Sequence, residues 1–186
     1  LSDEEIAAAD LSQFDTIVTG IRAYKDRTAL IRNNRRLLDY VKAGGHWLCQ
    51  YNKYEFLRDQ YAPYPLTIRR PHDRVTDENA AVKILEPESP VFLQPNQIGA
   101  EDWKGWVQER GLYFLGTFDE RYTPLLEMED PFPYNPGKKR GSLVMAKYGK
   151  GTYVYTGIGF FRQLPAGVPG AYRLFANLLS LSKTSE

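Results

Sequence analysis

The chain is poor in the side chains that carry redox, metal and nucleophilic chemistry: its 186 residues include one cysteine, Cys49, and two histidines, His46 and His72. A single cysteine excludes an intramolecular disulfide and every multi-cysteine metal motif. No HExxH spacing is present either, so the reading is no metal and no cofactor. Charge of one sign is lacking as well. The 24 Lys and Arg are offset by 23 Asp and Glu, for a net charge of +1, and that balance gives no basic field for nucleic acid. No run approaches the roughly 20 apolar residues that cross a bilayer. The opening "LSDEEIAAADL" has neither the basic n-region nor the apolar h-region of a signal peptide. It also starts without methionine, which admits excision from a larger protein. Compartment stays open, because a domain without disulfides suits either side of a membrane.

What is present fits one globular domain. The composition is 42% hydrophobic and 25% charged, and a fold of this length buries roughly 70% of the surface its unfolded chain exposes. Thirteen tyrosines, nine phenylalanines and three tryptophans supply aromatic surface for a core, an interface or a sugar-facing platform.

The order of elements points to an α/β fold. "FDTIVTGIRAY", from Phe14, reads as a short strand that ends in a loop at Gly20. A helix follows, with Leu30, Ile31, Leu37, Leu38 and Val41 at helical spacing and Gly44-Gly45 at its end. "HWLCQY" gives a second strand and completes a βαβ unit. The segment from Asn52 to Asp77 is irregular. Beyond it, Ala81 to Leu85 reads as a strand, "IGAEDWKGWVQERG" as a short helix, "LYFLGTF" as a strand, and "YTPLLEMEDPFPYNPGKKRG" as a short strand and a turn-rich excursion. "SLVMAKYGKGTYVYTGIGFF" is a hairpin turning at "YGKG", with its second strand expected to run to Phe161. Gly157 and Gly159 are expected to allow close approach or a bend. The apolar stripe Ala171, Leu174, Phe175, Leu178, Leu179 then returns as a helix onto the sheet.

Candidate chemistry is sparse. Cys49 lies inside a strand without flanking glycines, so it reads as a buried structural thiol rather than a nucleophile, with His46 on the opposite strand face. Asp73, Asp77 and Glu109 are acid-base candidates only if the fold gathers them; the simpler reading of "DRVTDEN" is a capped, solvated turn. "GKG" lacks the GxxxxGK[ST] spacing of a phosphate loop. Trp103 and Trp106, with Tyr113, are candidates for a carbohydrate platform, against ordinary packing. Ligands of open α/β sheets favour the carboxyl ends of strands, which singles out Arg22, Gln50, Asn52, Arg162 and Gln163.

The combination "FDTIVTGIRAY", "NNRRLLDYVKAGGHWLCQYN", "DRVTDENAAVKIL", "GWVQERGLYF" and "YGKGTYVYTGIGFFRQLPAGVPGAYRLFANLL" resembles the C-terminal, class I glutamine-amidotransferase-like domain attached to some PIG-L (LmbE-like) deacetylases. It covers about Phe14 to Leu181, within a single domain of residues 1–186. The resemblance implies a three-layer, flavodoxin-like or amidotransferase-like α/β domain with a mainly parallel sheet and a C-terminal hairpin. It also implies what is missing. Amidotransferases place their cysteine in a G-x-C-x-G-like elbow with a downstream histidine, and no histidine follows His72 here. PIG-L enzymes carry a PHPDD-like metal motif, which "RPHDR" at Arg70 to Arg74 does not reproduce. The implied role is a noncatalytic accessory domain whose partner is a PIG-L-type deacetylase domain upstream in the same chain, assisting recognition of a glycan or N-acetylated substrate. A purely structural or homo-oligomerisation module is one alternative, and a divergent hydrolase using Asp73, Asp77, Glu109 or Arg162 is another.

Overall fold

The computed structural model of the chain describes residues 1–57, 61–133 and 135–183. The first helix, α1 (Asp3–Ala8), is held by a capping box in which the Glu5 N–H donates to Ser2 Oγ and the Ser2 N–H donates to the Glu5 carboxylate. Strand β1 (Thr16–Thr19) follows and ends before Gly20. The expected single helix is three: α2 (Ala23–Asp26), α3 (Thr28–Arg32) and α4 (Asn34–Ala43). Asparagines make the second break. Asn33 leaves helical geometry at φ −105°, ψ 13° and its amide donates back to the Ala29 carbonyl at 2.8 Å. The buried Asn34 amide accepts from the Tyr24 hydroxyl and donates to the Tyr61 carbonyl. Helix α4 ends at Gly44, whose φ of +131° excludes most side chains. Strand β2 (His46–Gln50) then pairs parallel with β1, Thr16 opposite His46 and Thr19 opposite Cys49.

The middle of the chain is built from short strands, of which those at Val82–Ile84 and Gly111–Phe114 overlap the expected ones. They are β3 (Leu66–Thr67), β4 (Asp73–Val75), β5 (Val82–Ile84), then the one-turn α5 (Pro90–Leu93), β6 (Gly111–Phe114), β7 (Thr117–Phe118), β8 (Thr123–Pro124) and β9 (Leu126–Met128). Three small antiparallel sheets result: β3 with β7, β4 with β6, and β5 with β9. The helix expected around Trp103 is only a 3-10 turn, Ala100–Trp103, closed by the Asp102 carboxylate accepting from the Gly99 N–H.

The hairpin is β10 (Leu143–Tyr148) and β11 (Gly151–Thr156), joined by Gly149 and Lys150 with Gly149 at φ +61°. The central sheet has the order β1-β2-β11-β10-β8. β1, β2 and β11 are mutually parallel, while β10 runs antiparallel to both β11 and the proline-containing edge strand β8. The second hairpin strand stops five residues short of expectation. Gly157 leaves the ladder to take the Leu112 N–H on its carbonyl, a contact so close that a Cβ there would sit 2.7 Å from the Leu112 oxygen. Phe160–Gln163 instead forms the short α6, followed by α7 (Pro169–Leu179). Gly159 meets nothing closer than 3.6 Å, so the close approach belongs to Gly157.

Both sheet faces are buried, which is why β2 and β11 read as nearly continuous apolar runs. One face carries Ile17, Trp47, Cys49, Tyr153 and Tyr155 against Tyr24, Leu30, Leu37 and Val41 of the first helices. The other carries Leu48, Leu143 and Val154 against Phe160, Ala171, Leu174 and Leu178. No helix among the described residues is long and apolar enough to cross a membrane.

His46, 1% exposed, joins sheet to helix. Its Nε2 lies 2.8 Å from the Leu178 carbonyl and its Nδ1 lies 3.2 Å from the Thr152 carbonyl. Burial lowers its pKa from the usual value, outweighing the two carbonyls that favour the charged ring. The unfolded chain therefore binds the proton more readily than the folded one. The stabilisation is complete above the unfolded value near 6.5 and is lost as pH falls below it, by at most about 1.4 kcal/mol per pH unit for one group. Urea unfolding at pH 7.5 and 5.5 is expected to show lower stability at the acid pH. A His46→Gln variant is expected to be less stable at pH 7.5 with a shallower pH dependence; an unchanged slope would remove His46 from the account.

Candidate functional site

The three parallel strands finish side by side. Thr19 pairs with Cys49 and Gln50 pairs with Thr156, so the residues after β1, β2 and β11 emerge at one end of the sheet. This carboxyl end is where open α/β sheets take their ligands. After β1, Arg22 adopts φ 56° and its N–H donates to the Tyr51 carbonyl at 2.8 Å, tying the first exit to the second. From the far strand β6 comes Tyr113, whose carbonyl accepts from the Tyr155 hydroxyl of β11 at 2.8 Å.

Tyr113 organises the cluster. The Tyr51 ring stacks on it at 5.3 Å, and the His72 ring stacks on it at 3.9 Å with the planes 14° apart. Lys53 Nζ lies 5.4 Å from the same ring centre, and Phe161 meets Tyr51 edge-on at 5.7 Å. Outside this group the Arg70 guanidinium covers the Tyr54 ring at 3.9 Å. Burial is the main reason the Tyr51 hydroxyl has a raised pKa; Arg22 and Arg162 pull against it. His72 is lowered, first by burial and then by Arg74 and Lys53. Among the described residues the non-glycine positions with positive φ are Arg22, Gln108 and Tyr113, so the backbone strain gathers at this end and beside Glu109.

The residues singled out by sequence divide sharply. Arg22 belongs to the cluster, and Gln50 closes β2 half-buried, its carbonyl accepting from the Asn52 amide. Arg162 is also at this end, paired through Nε with Glu109 at 2.7 Å. Asn52 and Gln163 require correction as lip residues, for both are 0% exposed. The Asn52 amide accepts from the Tyr24 N–H and donates to the Gln50 carbonyl, while Gln163 accepts from the Val107 N–H and donates to the Val107 and Glu109 carbonyls. Trp103 and Trp106 are corrected as an open platform. They pack at 5.3 Å in the core beneath Arg110, whose guanidinium donates to the Ala80 and Trp103 carbonyls.

The acidic candidates are not gathered. Asp73 lies near Arg69 at 3.6 Å and Lys139 at 3.8 Å; Asp77 accepts from the Asn79 N–H at 2.8 Å as a turn cap; Glu109 holds Arg162. Sequence reasoning missed Tyr51, Lys53, Tyr54 and Arg70, weighed His72 only as a metal ligand, and grouped Tyr113 with Trp103 and Trp106 instead of with this cluster. The available signal was "QYNKY", an aromatic and basic run leaving a strand end; Tyr113 reaches this end through the pairing of β4 with β6. Among the described residues, no group of three His, Cys, Asp or Glu side chains stands where it could hold a metal ion.

Cys49 faces the core opposite His46 and is 0% exposed. Burial pushes its thiol up to about 11, despite favourable contacts from Thr19, Tyr153 and Asn52. A protonated, enclosed thiol is a poor nucleophile. In the folded protein at pH 8, Cys49 is expected to resist iodoacetamide and to be alkylated only after denaturation, as read by mass spectrometry. Rapid labelling of the native chain would contradict the burial argument.

No protein-family model and no curated protein matches the chain. Solved structures do. Cytoplasmic protein STM3548 from Salmonella typhimurium matches with TM-score 0.55 and 18% identity, over 96% of this chain and 74% of its own. Cytoplasmic protein STM1381 from Salmonella typhimurium LT2 matches with TM-score 0.57 and 17% identity, over 91% of this chain and 72% of its own. A cold-adapted β-galactosidase from Rahnella sp. R3 matches at TM-score 0.45 and 14% identity, over 95% of this chain and 24% of its own. The two Salmonella matches establish likeness of fold alone, a mixed α/β architecture around a mainly parallel sheet.

Proposed function

We propose that this chain is a noncatalytic, amidotransferase-like accessory domain of a PIG-L-type N-deacetylase, and that the carboxyl end of its parallel strands binds or orients a glycan or N-acetylated substrate. A three-layer, flavodoxin-like arrangement is part of the same reading and is supported by burial of both sheet faces. The observation that carries it is the convergence of Arg22, the Tyr51-Tyr113-His72 stack and Arg162 at the strand exits. Aromatic surface edged by hydrogen-bond donors suits a sugar, which presents both an apolar face and hydroxyls. The enclosed Cys49 and the dispersed carboxylates favour binding over turnover.

Calorimetric titration of the chain against a panel of N-acetylated oligosaccharides is expected to show saturable binding. Arg22→Ala is expected to weaken it about tenfold, about 1.4 kcal/mol, and Arg162→Ala to weaken it as well. A panel without any saturable ligand would remove the substrate-binding role.

One observation favours scaffolding as the second reading. Strand β1 is a sheet edge, and a groove of about 590 Å3 runs along it, lined by Ile17, Val18, Ile21, Leu30 and Leu37. Val18 is 38% exposed there. Such an edge can accept a strand from a partner domain, and lysine on an edge blocks that pairing. If the deacetylase domain docks here, Val18→Lys is expected to abolish its co-elution with this domain in size-exclusion chromatography while glycan titrations stay unchanged. Undiminished co-elution would place the contact elsewhere.

A further inference from the structure

We propose that the strand-end lip selects a sugar carrying an anionic oxygen group, a carboxylate or a phosphate monoester, with Arg22 and Lys53 flanking the anion and Arg70 on the outer rim. This rests on the strand-end binding reading above and names the ligand class for it.

At this end of the sheet some charges are matched inside the protein and others are not. Arg162 is matched by Glu109, and Asp73 lies between Arg69 and Lys139. Among the described residues, Arg22, Lys53 and Arg70 have no ion-pair partner. Glu55, the acidic neighbour of Lys53 in sequence, turns its carboxylate to the Lys53 backbone N–H at 3.3 Å. Two nitrogens in the cluster are also buried without a hydrogen-bond partner among the described residues, Arg22 Nε and His72 Nε2. A buried guanidinium nitrogen without an acceptor is costly, and an incoming oxygen anion answers that need with a charge-assisted bond.

The cations are placed to act together. Arg22 acts electrostatically on Tyr51, Lys53 sits over Tyr113, and those two rings stack at 5.3 Å. The half-exposed Tyr54 and Phe161 supply aromatic surface beside them. A neutral sugar would use this surface and leave the positive potential unanswered. An acidic sugar uses both.

The test is calorimetric titration of the whole chain with four probes: a galacturonate trisaccharide, an N-acetylglucosamine trisaccharide, glucose 6-phosphate and inorganic phosphate. Salt is set at about 50 mM and about 500 mM, where the screening length falls well below the span of the cluster. At low salt the anionic sugars are expected to bind about tenfold or more tightly than the neutral trisaccharide, with the advantage shrinking at high salt. The ratio of the galacturonate and 6-phosphate affinities identifies which anion is preferred. Lys53→Gln, on the half-exposed rim, is expected to remove most of the advantage while leaving neutral-sugar binding and the melting temperature unchanged; Arg22→Gln is expected to weaken neutral and anionic sugars alike and the anionic ones by the larger factor. Equal binding of neutral and acidic sugars would overturn the anion selectivity and leave the strand-end site standing. Binding by no sugar would overturn both. Inorganic phosphate binding as tightly as the sugars would overturn the sugar requirement, and selectivity untouched by either substitution would overturn the assignment to these residues.

Discussion

Strand β2 has no open side. It is paired parallel on one edge to β1 and on the other to β11, and His46 through Cys49 are all buried. Every polar atom in that stretch must therefore find its partner within the protein. His46 does so by donating its one imidazole N–H to a main-chain carbonyl while its other ring nitrogen lies beside a second, and Cys49 does so among Thr19, Tyr153 and Asn52. The constraint leaves the middle of the sheet chemically quiet. Solvent-facing chemistry can begin only where burial relaxes at Gln50, and the site is accordingly composed of residues that follow strand ends.

The same accounting explains the chain's buried amides. Asn34, Asn52, Gln163 and Asn177 are each less than 9% exposed, yet each bonds main chain that lies outside regular ladders. Asn34 reaches the Tyr61 carbonyl, Asn52 the Tyr24 N–H, and Gln163 both groups of Val107. Asn177 in α7 accepts from the Asn96 N–H and donates to the Val91 and Asn96 carbonyls. A fold with this much irregular chain between short strands carries many main-chain groups with no ladder partner. A primary amide, with donor and acceptor on one short stem, replaces that partner better than a charged group would. The amides thus hold the connections in place, alongside the buried Arg110, whose guanidinium serves the Ala80 and Trp103 carbonyls.

How much of this could be read from the sequence follows from the range of the interactions. The β1-helix-β2 unit, the Gly149-Lys150 hairpin and α7 were legible because their apolar periods and glycine turns are local. The break at Asn33 was not, since it depends on Asn34 finding Tyr61 across the fold. Strands at Val82–Ile84 and Gly111–Phe114 were legible, but their pairing into small sheets escaped because such short runs have almost no period to fix a register, and partners such as Val82 and Met128 are far apart in the chain. At the site, strand-exit logic found Arg22 and Arg162. It also selected Asn52 and Gln163, because composition does not tell a polar side chain that braces a loop from one that faces solvent. Tyr113 was noticed with Trp103 and Trp106, but its stacking on Tyr51 and His72 was not legible, because the pairing of β4 with β6 carries it in.

Backbone conformation gives the last step of the argument. Arg22 and Tyr113 hold φ values of 56° and 53°, a region that glycine enters without penalty and other residues occupy at a cost of roughly 1–3 kcal/mol. The chain is not short of glycine nearby, for Gly20 stands two residues before Arg22 and Gly111 two before Tyr113. Glycine at either strained position would relax the backbone and delete a side chain from the cluster: the guanidinium in one case, the ring on which His72 and Tyr51 stack in the other. The fold carries the strain through the Arg22 N–H bond to Tyr51 and the Tyr155 hydroxyl bond to the Tyr113 carbonyl. Those two bonds offset part of that cost and hold a cation and an aromatic face at the mouth of the sheet, as the Gln163 amide does for Val107 and Glu109 on either side of the positive-φ Gln108.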